Sequence, residues 1–361
     1  MSCDDPQRGV RVGRGATSAP APRYLPVIRE AIDDGWGSLD EPAPPLQTVV
    51  TTEQTRSPIS RNESPDVPFS VSLNPYKGCE HGCIYCFARP THAYLDLSPG
   101  IDFESRLVAK PELPAALRAM FMKPSWQPEV IAVGANTDPY QPIERQWQIT
   151  RQALQVFADF RNPCGIITKN NLVLRDLDLL APMAAQGLVH VFVSVTSLDR
   201  KLARTMEPRA ASPQKRLEAI EGLAKAGVPV GVMAAPMIPG LNDAELEHIL
   251  QAARNAGAST ASYIMVRLPL EIKELFEGWL QAHFPNRKDK VLNLIRQARG
   301  GKLYDAHFGS RMRGEGPYAD LLQRRHAAAC ARLAFPGMTP LRTDLFSRPG
   351  KPSPQLNLFG G

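Results

Sequence analysis

The residues best suited to chemistry in this chain are concentrated in one short stretch, NPYKGCEHGCIYCFARP. Cys79, Cys83 and Cys86 lie within eight residues of sequence. A structural zinc site takes four ligands, usually as two separated pairs, and here there is a single triplet. His81 lies inside the loop and could supply a fourth ligand only in a very tight geometry. Three packed core cysteines are a further alternative, which the two glycines and the glutamate around them do not favour.

Iron–sulfur chemistry accounts for a triplet of cysteines better than zinc does. A cubane cluster has four irons and normally takes four thiolates, so three thiolates leave one iron open. An open iron can bind a substrate or cofactor and transfer an electron into it. The remaining cysteines, Cys3, Cys164 and Cys330, are scattered singly along the chain.

The composition is that of an ordinary globular protein without membrane segments. Hydrophobic residues make up 43% of the chain and charged residues 22%. No apolar run is long enough to cross a bilayer, and the polar N-terminus has no apolar core typical of a secretory signal. We therefore expect a cytoplasmic protein, in which clustered cysteines bind metal or do chemistry rather than form disulfides.

Short apolar runs alternate with amphipathic helical stretches from about residue 68. The pattern predicts six strands, and it predicts one helix over residues 144–160. Alternating strands and helices indicate parallel βαβ units, and such folds place their site at the C-terminal ends of the strands. The predicted segments are a flexible tail (1–60), a core barrel (61–270), a helical basic extension (271–340) and a second flexible tail (341–361).

Positive charge is concentrated in the predicted helical extension. Residues 281–332 contain eleven Lys and Arg but four Asp and Glu, a net charge of +7. A local basic excess suits a polyanionic partner, and a solvated helical face explains it equally well. Charge alone leaves the two interpretations open.

The C-x3-C-x2-C spacing, with an aromatic residue before the last cysteine, resembles that of the radical S-adenosylmethionine superfamily. The resemblance implies an α/β fold, a partial (β/α)6 TIM-like barrel. It also implies a [4Fe–4S] cluster on Cys79, Cys83 and Cys86 whose open iron binds S-adenosylmethionine. The reduced cluster then cleaves this cofactor to a 5′-deoxyadenosyl radical, which abstracts hydrogen from a substrate.

Further motifs over about residues 68–335 resemble the spore photoproduct lyase-like group, often called DNA repair photolyases. They are ANTDP after the second predicted strand, TK on the third, and the run EPRAASPQKRL…AGVPV…PMIPGLND. By this resemblance, S-adenosylmethionine is bound by Tyr85, Thr137, Asp138, Lys169, Ser194, Arg216 and Ile238. One departure concerns the hydrogen donor, because Ala135 occupies the place of the spore enzyme's cysteine.

The resemblance predicts a lyase that repairs a damaged DNA base, with a reducing electron donor such as flavodoxin or ferredoxin. A base inside a duplex is out of reach of a buried radical, so it must be flipped out. The phosphates would be contacted by Arg287, Lys288, Lys290, Arg311 and Arg313. Two alternatives remain: a radical enzyme acting on RNA or a small molecule, and a clamp-associated iron–sulfur protein without catalytic activity.

A second short motif, QLNLF, lies near the end of the sequence. It resembles the pentapeptide by which bacterial repair proteins dock on the DNA sliding clamp. The predicted clamp contacts are Gln355, Leu356, Leu358 and Phe359. A flexible segment can present Leu358 and Phe359 to an apolar pocket. The alternative is a terminal strand or latch folded onto the protein's own surface.

The clamp hypothesis predicts that Phe359→Ala weakens binding to the bacterial sliding clamp, because the variant loses the largest apolar side chain of the motif. Cleavage of S-adenosylmethionine should be unchanged, since the motif lies far from the cysteine loop in sequence. Surface plasmon resonance on immobilised clamp would measure the affinity. An affinity equal to that of the unmodified protein would rule out this docking mode.

Overall fold

The computed structural model describes residues 13–25 and 46–349. Its strands are β1 (Val49–Thr52), β2 (Ser60–Arg61), β3 (Val71–Leu73), β4 (Tyr76–Lys77), β5 (Arg106–Ala109), β6 (Ile131–Val133), β7 (Cys164–Thr168), β8 (Val189–Ser194), β9 (Val230–Met237) and β10 (Thr260–Met265). Its α-helices are α1 (Asp102–Ser105), α2 (Leu113–Met122), α3 (Glu144–Trp147), α4 (Ile149–Phe160), α5 (Leu177–Ala185), α6 (Arg200–Met206), α7 (Pro213–Lys225), α8 (Leu246–Asn255), α9 (Ile272–His283), α10 (Pro285–Gln297) and α11 (Pro317–Leu333).

The main sheet is an open barrel of the predicted kind. Its seven strands have the order β10-β9-β8-β7-β6-β3-β2, and β3, β6, β7, β8, β9 and β10 are mutually parallel. The antiparallel strand β2 pairs with β3 at one edge, and β10 forms the other edge. The six parallel strands are the six that the apolar runs predict. Helices connect them, so their C-terminal ends meet at one end of the barrel.

The predicted helix over residues 144–160 is two helices in the structure. Gln148 lies between α3 and α4 with a φ of 50°, in the left-handed region. The carboxylate of Glu144 accepts hydrogen bonds from the N–H groups of Thr150 (3.0 Å) and Arg151 (3.3 Å). This side chain therefore caps the start of α4, which the apolar periodicity does not reveal.

The described part of the predicted N-terminal tail is packed against the rest of the protein. Strand β1 pairs in parallel with β5 in a small second sheet. The side chain of Arg14 is only 7% exposed and donates to the carbonyl of Glu104 at 2.7 Å. For these residues the structure departs from the prediction of a flexible segment, because they supply hydrogen bonds to a buried carboxylate.

The described start of the predicted C-terminal tail also makes specific contacts. The Ser347 N–H donates to the carbonyl of Phe160 at 2.9 Å, and the Arg348 Nε donates to the carbonyl of Phe121 at 3.1 Å. The ring of Phe346 packs on both phenylalanines. Residues 342–348 therefore extend along the outside of the barrel, which differs from a flexible tail.

The predicted helical extension contains α9, α10 and α11. Helices α9 and α10 pack on each other, and α11 packs against α8 and the edge strand β10. In the described residues, no helix is both long and apolar enough to span a bilayer.

Candidate active site

The cysteine loop leaves β4 at the C-terminal end of the barrel and is fixed by its backbone. The Cys79 N–H donates to the carbonyl of Phe103 at 2.9 Å. Gly78 and Gly82 have φ values of 74° and 69°, which glycine adopts without strain. A Cβ at Gly82 would lie 2.7 Å from a carboxylate oxygen of Glu104. Other residues are therefore disfavoured at these two turns by both conformation and space.

A buried ion pair between Arg89 and Glu104 holds the cysteine loop in place. Both side chains are fully buried, and their closest atoms are 2.5 Å apart. Arg89 also donates to four carbonyls, those of Cys83 (2.9 Å), Gly82 (3.1 Å), Pro99 (3.3 Å) and Gly100 (2.8 Å). The guanidinium therefore determines where the backbone of the second cysteine lies.

The same carboxylate binds the N-terminal segment to the loop. Glu104 accepts hydrogen bonds from the N–H groups of Gly15 (2.9 Å) and Ala16 (2.8 Å). Gly15 lies against Gly82 so closely that a Cβ would be 1.9 Å from the Gly82 carbonyl oxygen. The N-terminal segment thus covers the side of the loop that faces away from the barrel.

The three cysteines are free thiols in a nearly dry site. Cys79 and Cys83 are each 7% exposed, and Cys86 is partly buried. Burial raises the pKa of all three thiols, and the mutual repulsion of their charges adds to the effect on Cys79. Backbone N–H groups at Asp138, Ala88 and Arg89 donate to the sulfurs of Cys79 and Cys86 and favour their thiolates. A bound metal would supply the positive charge that such buried thiolates need.

This donor set fits a [4Fe–4S] cluster better than one zinc ion. Among residues 13–25 and 46–349, no three His, Cys, Asp or Glu side chains are arranged to hold a single metal ion. Each thiolate of a cubane binds a different iron, so the three sulfurs need not point at one metal ion. Cys79, Cys83 and Cys86 are the residues that would hold it.

His81, considered as a fourth ligand, faces a different group. Its Nδ1 lies 3.4 Å from an oxygen of Asp138, and its Nε2 lies 3.3 Å from the Asn170 amide nitrogen. The imidazole is 1% exposed. It connects the cysteine loop to the polar ends of β6 and β7.

The ANTDP loop after β6 is stabilised by side chains from inside and outside the loop. The Oδ1 of the Asn74 side chain accepts from the N–H groups of Asn136 (2.9 Å) and Thr137 (3.3 Å). Asp138 accepts from the Lys169 N–H at 2.6 Å and the Thr168 hydroxyl at 2.8 Å. Burial alone would raise the pKa of Asp138, but His81 and these donors together lower it. The Asp138 carboxylate, one of the predicted cofactor contacts, therefore joins two strand ends.

Four of the other predicted cofactor contacts lie around one buried carboxylate, Glu207. The Tyr85 hydroxyl and the Arg216 guanidinium both donate to Glu207, and the Lys169 Nζ lies 3.8 Å from it. Arg216 also donates to the carbonyl of Ser194 at 3.2 Å. Burial raises the pKa of Glu207, which Arg216 opposes, and burial lowers the pKa of Lys169. The sequence alone does not indicate that Glu207 connects these residues.

The last predicted cofactor contact, Ile238, lies directly after β9. It is completely buried and belongs to the apolar cluster that also contains Cys83 and Tyr85. Its N–H donates to the Asn242 side chain at 2.6 Å. The structure therefore brings Ile238 to the same end of the barrel as the cysteine loop.

A cavity of about 400 Å³ lies beside Glu207 and Arg216, between α6 and the start of α7. Its lining includes three exposed cations without an ion-pair partner among the described residues, Arg200, Lys201 and Arg204. The cavity therefore adds positive charge to the C-terminal end of the barrel.

The residues predicted to contact nucleic acid do not form one free surface. Arg287 and Lys290 are exposed on α10, whereas Lys288 pairs with Glu277 at 3.3 Å. Arg311 forms an ion pair with Asp66. Arg313 lies over the ring of Tyr263, 5.0 Å from its centre. The predicted clamp contacts, Gln355, Leu356, Leu358 and Phe359, lie outside the described residues.

Of the three single cysteines, Cys164 and Cys330 lie in the described part of the chain and Cys3 lies outside it. Cys164 is fully buried at the first residue of β7, at the opposite end of the barrel. Cys330 lies in α11, with its sulfur 3.5 Å from the His326 ring. Ala135 follows β6 where the resemblance predicts a cysteine.

The cluster assignment predicts that Cys79→Ala, Cys83→Ala and Cys86→Ala each prevent cluster assembly, because each removes a ligand. Cys164→Ala and Cys330→Ala serve as matched controls and should assemble it normally. Iron and acid-labile sulfide per chain after anaerobic reconstitution measure the result. Equal losses in all five variants would contradict the three-thiolate assignment.

The buried ion pair predicts that Arg89→Met lowers the free energy of unfolding by about 3–5 kcal/mol, because Glu104 is left buried without its partner. Arg118→Met is the matched control, since Arg118 pairs with Asp159 at the surface, where a pair contributes about 0–1 kcal/mol. Urea denaturation of both variants, followed by circular dichroism, would measure the difference. Equal losses would refute a special role for Arg89.

Comparisons with known proteins agree with this geometry. The radical SAM superfamily profile matches residues 73–253. An uncharacterized protein of Mycobacterium tuberculosis is 38% identical over 233 residues, which cover 64% of this chain and 68% of that protein. An uncharacterized protein of Methanocaldococcus jannaschii is 27% identical over 240 residues, covering 66% and 85% respectively.

The overall fold is similar to that of spore photoproduct lyase. One solved structure, a mutant of that enzyme, matches with a TM-score of 0.57 and 18% identity, and the match covers 80% of each chain. Another, complexed with dinucleoside spore photoproduct, matches with a TM-score of 0.56 and 15% identity over 79% of each chain. At these identities the likeness shows a common fold. With three free thiols at the C-terminal end of an open barrel and a family profile that spans half of the chain, this protein belongs to the radical SAM superfamily.

Proposed function

We propose that this protein is a radical S-adenosylmethionine lyase that acts on a damaged DNA base. The main support is the position of the cysteine loop, whose three thiols lie at the C-terminal end of an open barrel beside Lys169 and Glu207. Radical SAM proteins in general use a [4Fe–4S] cluster and S-adenosylmethionine. When bound, the cluster supplies the electron that cleaves S-adenosylmethionine to methionine and a 5′-deoxyadenosyl radical.

We assign the binding of S-adenosylmethionine to the residues around Glu207. Lys169 offers an ammonium group that is partly accessible and suits a carboxylate. Its Nζ lies 6.0 Å from the centre of the Tyr85 ring, so the two side chains border the same space. Tyr85 and Ile238 share one apolar cluster, which suits a flat adenine ring. Glu207 and Arg216 orient this set through hydrogen bonds.

The thiols and their surroundings would also protect radical chemistry from water. The buried Arg89–Glu104 pair and the N-terminal segment both pack against the cysteine loop and shield it from solvent. A buried radical in such a site reaches a nucleobase only after the base leaves the double helix. In the described residues the main sheet ends at β10 and β2 without joining them, and we infer that a flipped base enters between these two edges.

The similarity in fold supports a thymine adduct as one candidate lesion, because the matched lyase has been solved with dinucleoside spore photoproduct. Ala135 replaces the cysteine that would return a hydrogen atom, so another group must supply it. This difference favours a second candidate function, a radical enzyme acting on RNA or a small molecule. A reducing donor such as flavodoxin or ferredoxin would serve either function, and docking to the DNA sliding clamp through QLNLF remains a proposal.

The proposal predicts that ultraviolet-damaged DNA stimulates cleavage of S-adenosylmethionine, because a correctly placed lesion consumes the radical. The reconstituted enzyme is reduced anaerobically, and 5′-deoxyadenosine is measured with damaged DNA, intact DNA and no DNA. The Cys83→Ala variant is the control for background cleavage, since it lacks a cluster ligand.

Stimulation by damaged DNA alone is the expected outcome. Slow cleavage that is indifferent to both DNA samples would refute the DNA-lesion substrate and favour RNA or a small molecule. Absence of cleavage by a fully loaded enzyme would refute the catalytic role and favour a clamp-associated protein with a structural cluster.

A further inference from the structure

Arg267 and the exposed Phe87 lie together at the edge of the candidate site. Phe87 directly follows the third cysteine, Cys86, and its side chain is 44% exposed. Arg267 follows β10, and its guanidinium carbon lies 4.6 Å from the centre of the Phe87 ring. Within the described residues, Arg267 has no hydrogen-bonded or ion-paired partner. An aromatic ring and a free guanidinium are therefore presented together beside the cysteine loop.

A second arginine, Arg299, lies behind Arg267 and has unpaired donors. Its side chain is 4% exposed, and its Nη2 donates to the carbonyl of Val266 at 2.8 Å. Its Nε and Nη1 are buried and have no hydrogen-bond partner among the described residues. A buried donor without a partner costs about 1–3 kcal/mol, and more when it is charged. The described residues therefore leave two donors of Arg299 unsatisfied.

The two guanidinium groups reinforce each other's positive potential. Burial lowers the pKa of Arg299, and the charge of Arg267 lowers it further. Burial also lowers the pKa of Arg267. A bound anion would stabilise two neighbouring cations of this kind.

The nearest carboxylates are engaged elsewhere. Asp66 pairs with Arg311 and accepts from the Gly309 N–H at 2.7 Å. Asp305 accepts from the His307 ring at 2.5 Å and the Ser310 hydroxyl at 3.3 Å. In the described part of the chain, acidic groups such as Asp66 and Asp305 therefore act on the two arginines through space, without forming an ion pair with them.

Arg299 belongs to a glycine-rich connecting segment. Residues 298–316 connect α10 to α11, and several of their glycines have positive φ: Gly300, Gly301, Gly309, Gly314 and Gly316. Phe308 in this segment is 59% exposed, and Arg311 lies 4.5 Å from the centre of its ring. A second exposed aromatic ring therefore lies against an arginine in this connecting segment.

We propose that Arg267 and Arg299 bind a backbone phosphate of a single-stranded or flipped-out nucleic-acid segment, while the exposed Phe87 ring stacks on a neighbouring base. Two guanidinium groups match the fork geometry of a phosphate, and aromatic rings stack on any base. This proposal rests on the proposed function, and it specifies that the protein recognises a phosphate and a base of the substrate. It differs from the basic residues predicted on α10, because both arginines lie beside the cysteine loop.

Binding of a fluorescent single-stranded oligonucleotide to the cluster-loaded protein tests the site. We compare Arg267→Gln and Arg299→Met with the control Arg332→Gln, which removes one exposed charge from the far end of α11. Anisotropy titrations at several salt concentrations should show affinity about tenfold lower in both test variants. The slope of log affinity against log salt should fall by about 0.7 for each lost phosphate contact. The control should match the wild-type protein.

Thermal unfolding separates a ligand-binding role from a structural one. Without ligand, Arg299→Met should melt at or above the wild-type temperature, because methionine removes a buried unpaired charge. Pyrophosphate should raise the melting temperature of the wild-type protein and of Arg332→Gln, but not that of either test variant. Wild-type oligonucleotide affinity in both test variants would overturn the site, as would a loss of melting temperature in Arg299→Met with no change in binding.

The two ligands distinguish failure of the site from failure of the proposed function. If pyrophosphate stabilises the wild-type protein through the two arginines but the oligonucleotide does not bind, the phosphate site stands and the nucleic-acid substrate is refuted. If neither ligand acts through the arginines, the site itself is refuted.

Discussion

The geometry of the candidate site depends on the buried ion pair between Arg89 and Glu104. A buried pair is favourable only when further hydrogen bonds satisfy both partners, because desolvation of two charges is expensive. Here Arg89 binds carbonyls of the cysteine loop and Glu104 binds N–H groups of residues 15 and 16. The hydrogen bonds that stabilise the buried pair are therefore also the ones that hold the cysteine loop in position. The N-terminal segment belongs to the site for this reason.

Glu207 holds the cysteine loop to the barrel in a similar way. It is 2% exposed and binds Tyr85 from the cysteine loop, Thr196 from the end of β8 and Arg216 from α7. Two buried carboxylates therefore fix the cysteine loop from opposite sides, each paired with a buried arginine. Neither arginine has donors to spare for a distant ligand, so Lys169, which is only loosely paired with Glu207, is the best cation for a bound carboxylate.

The sequence predicts those parts of the fold that local patterns determine. The six parallel strands follow from apolar runs, and the cysteine loop follows from spacing and two glycines. The pairs Arg89–Glu104 and Arg311–Asp66 could not be predicted, because each joins residues whose proximity arises only when the chain folds. The break between α3 and α4 at Gln148 cannot be predicted for a related reason. The apolar periodicity continues through it, whereas in the structure the Glu144 carboxylate accepts the hydrogen bond of the Thr150 N–H.

The distribution of charge along the sequence also does not show which cations are paired in the fold. The unpaired cations determine where a polyanion can bind. The net charge of residues 281–332 is +7, yet Arg311 and Lys288 are paired within the protein. Arg267 lies outside that segment, and Arg299 is hidden within it as one basic residue among eleven. What attracts a phosphate is a cation whose donors the fold leaves unsatisfied, rather than the sum of charges along the chain. By that criterion the anion site that we propose lies next to Phe87, where a bound strand would place its bases close to the cysteine loop.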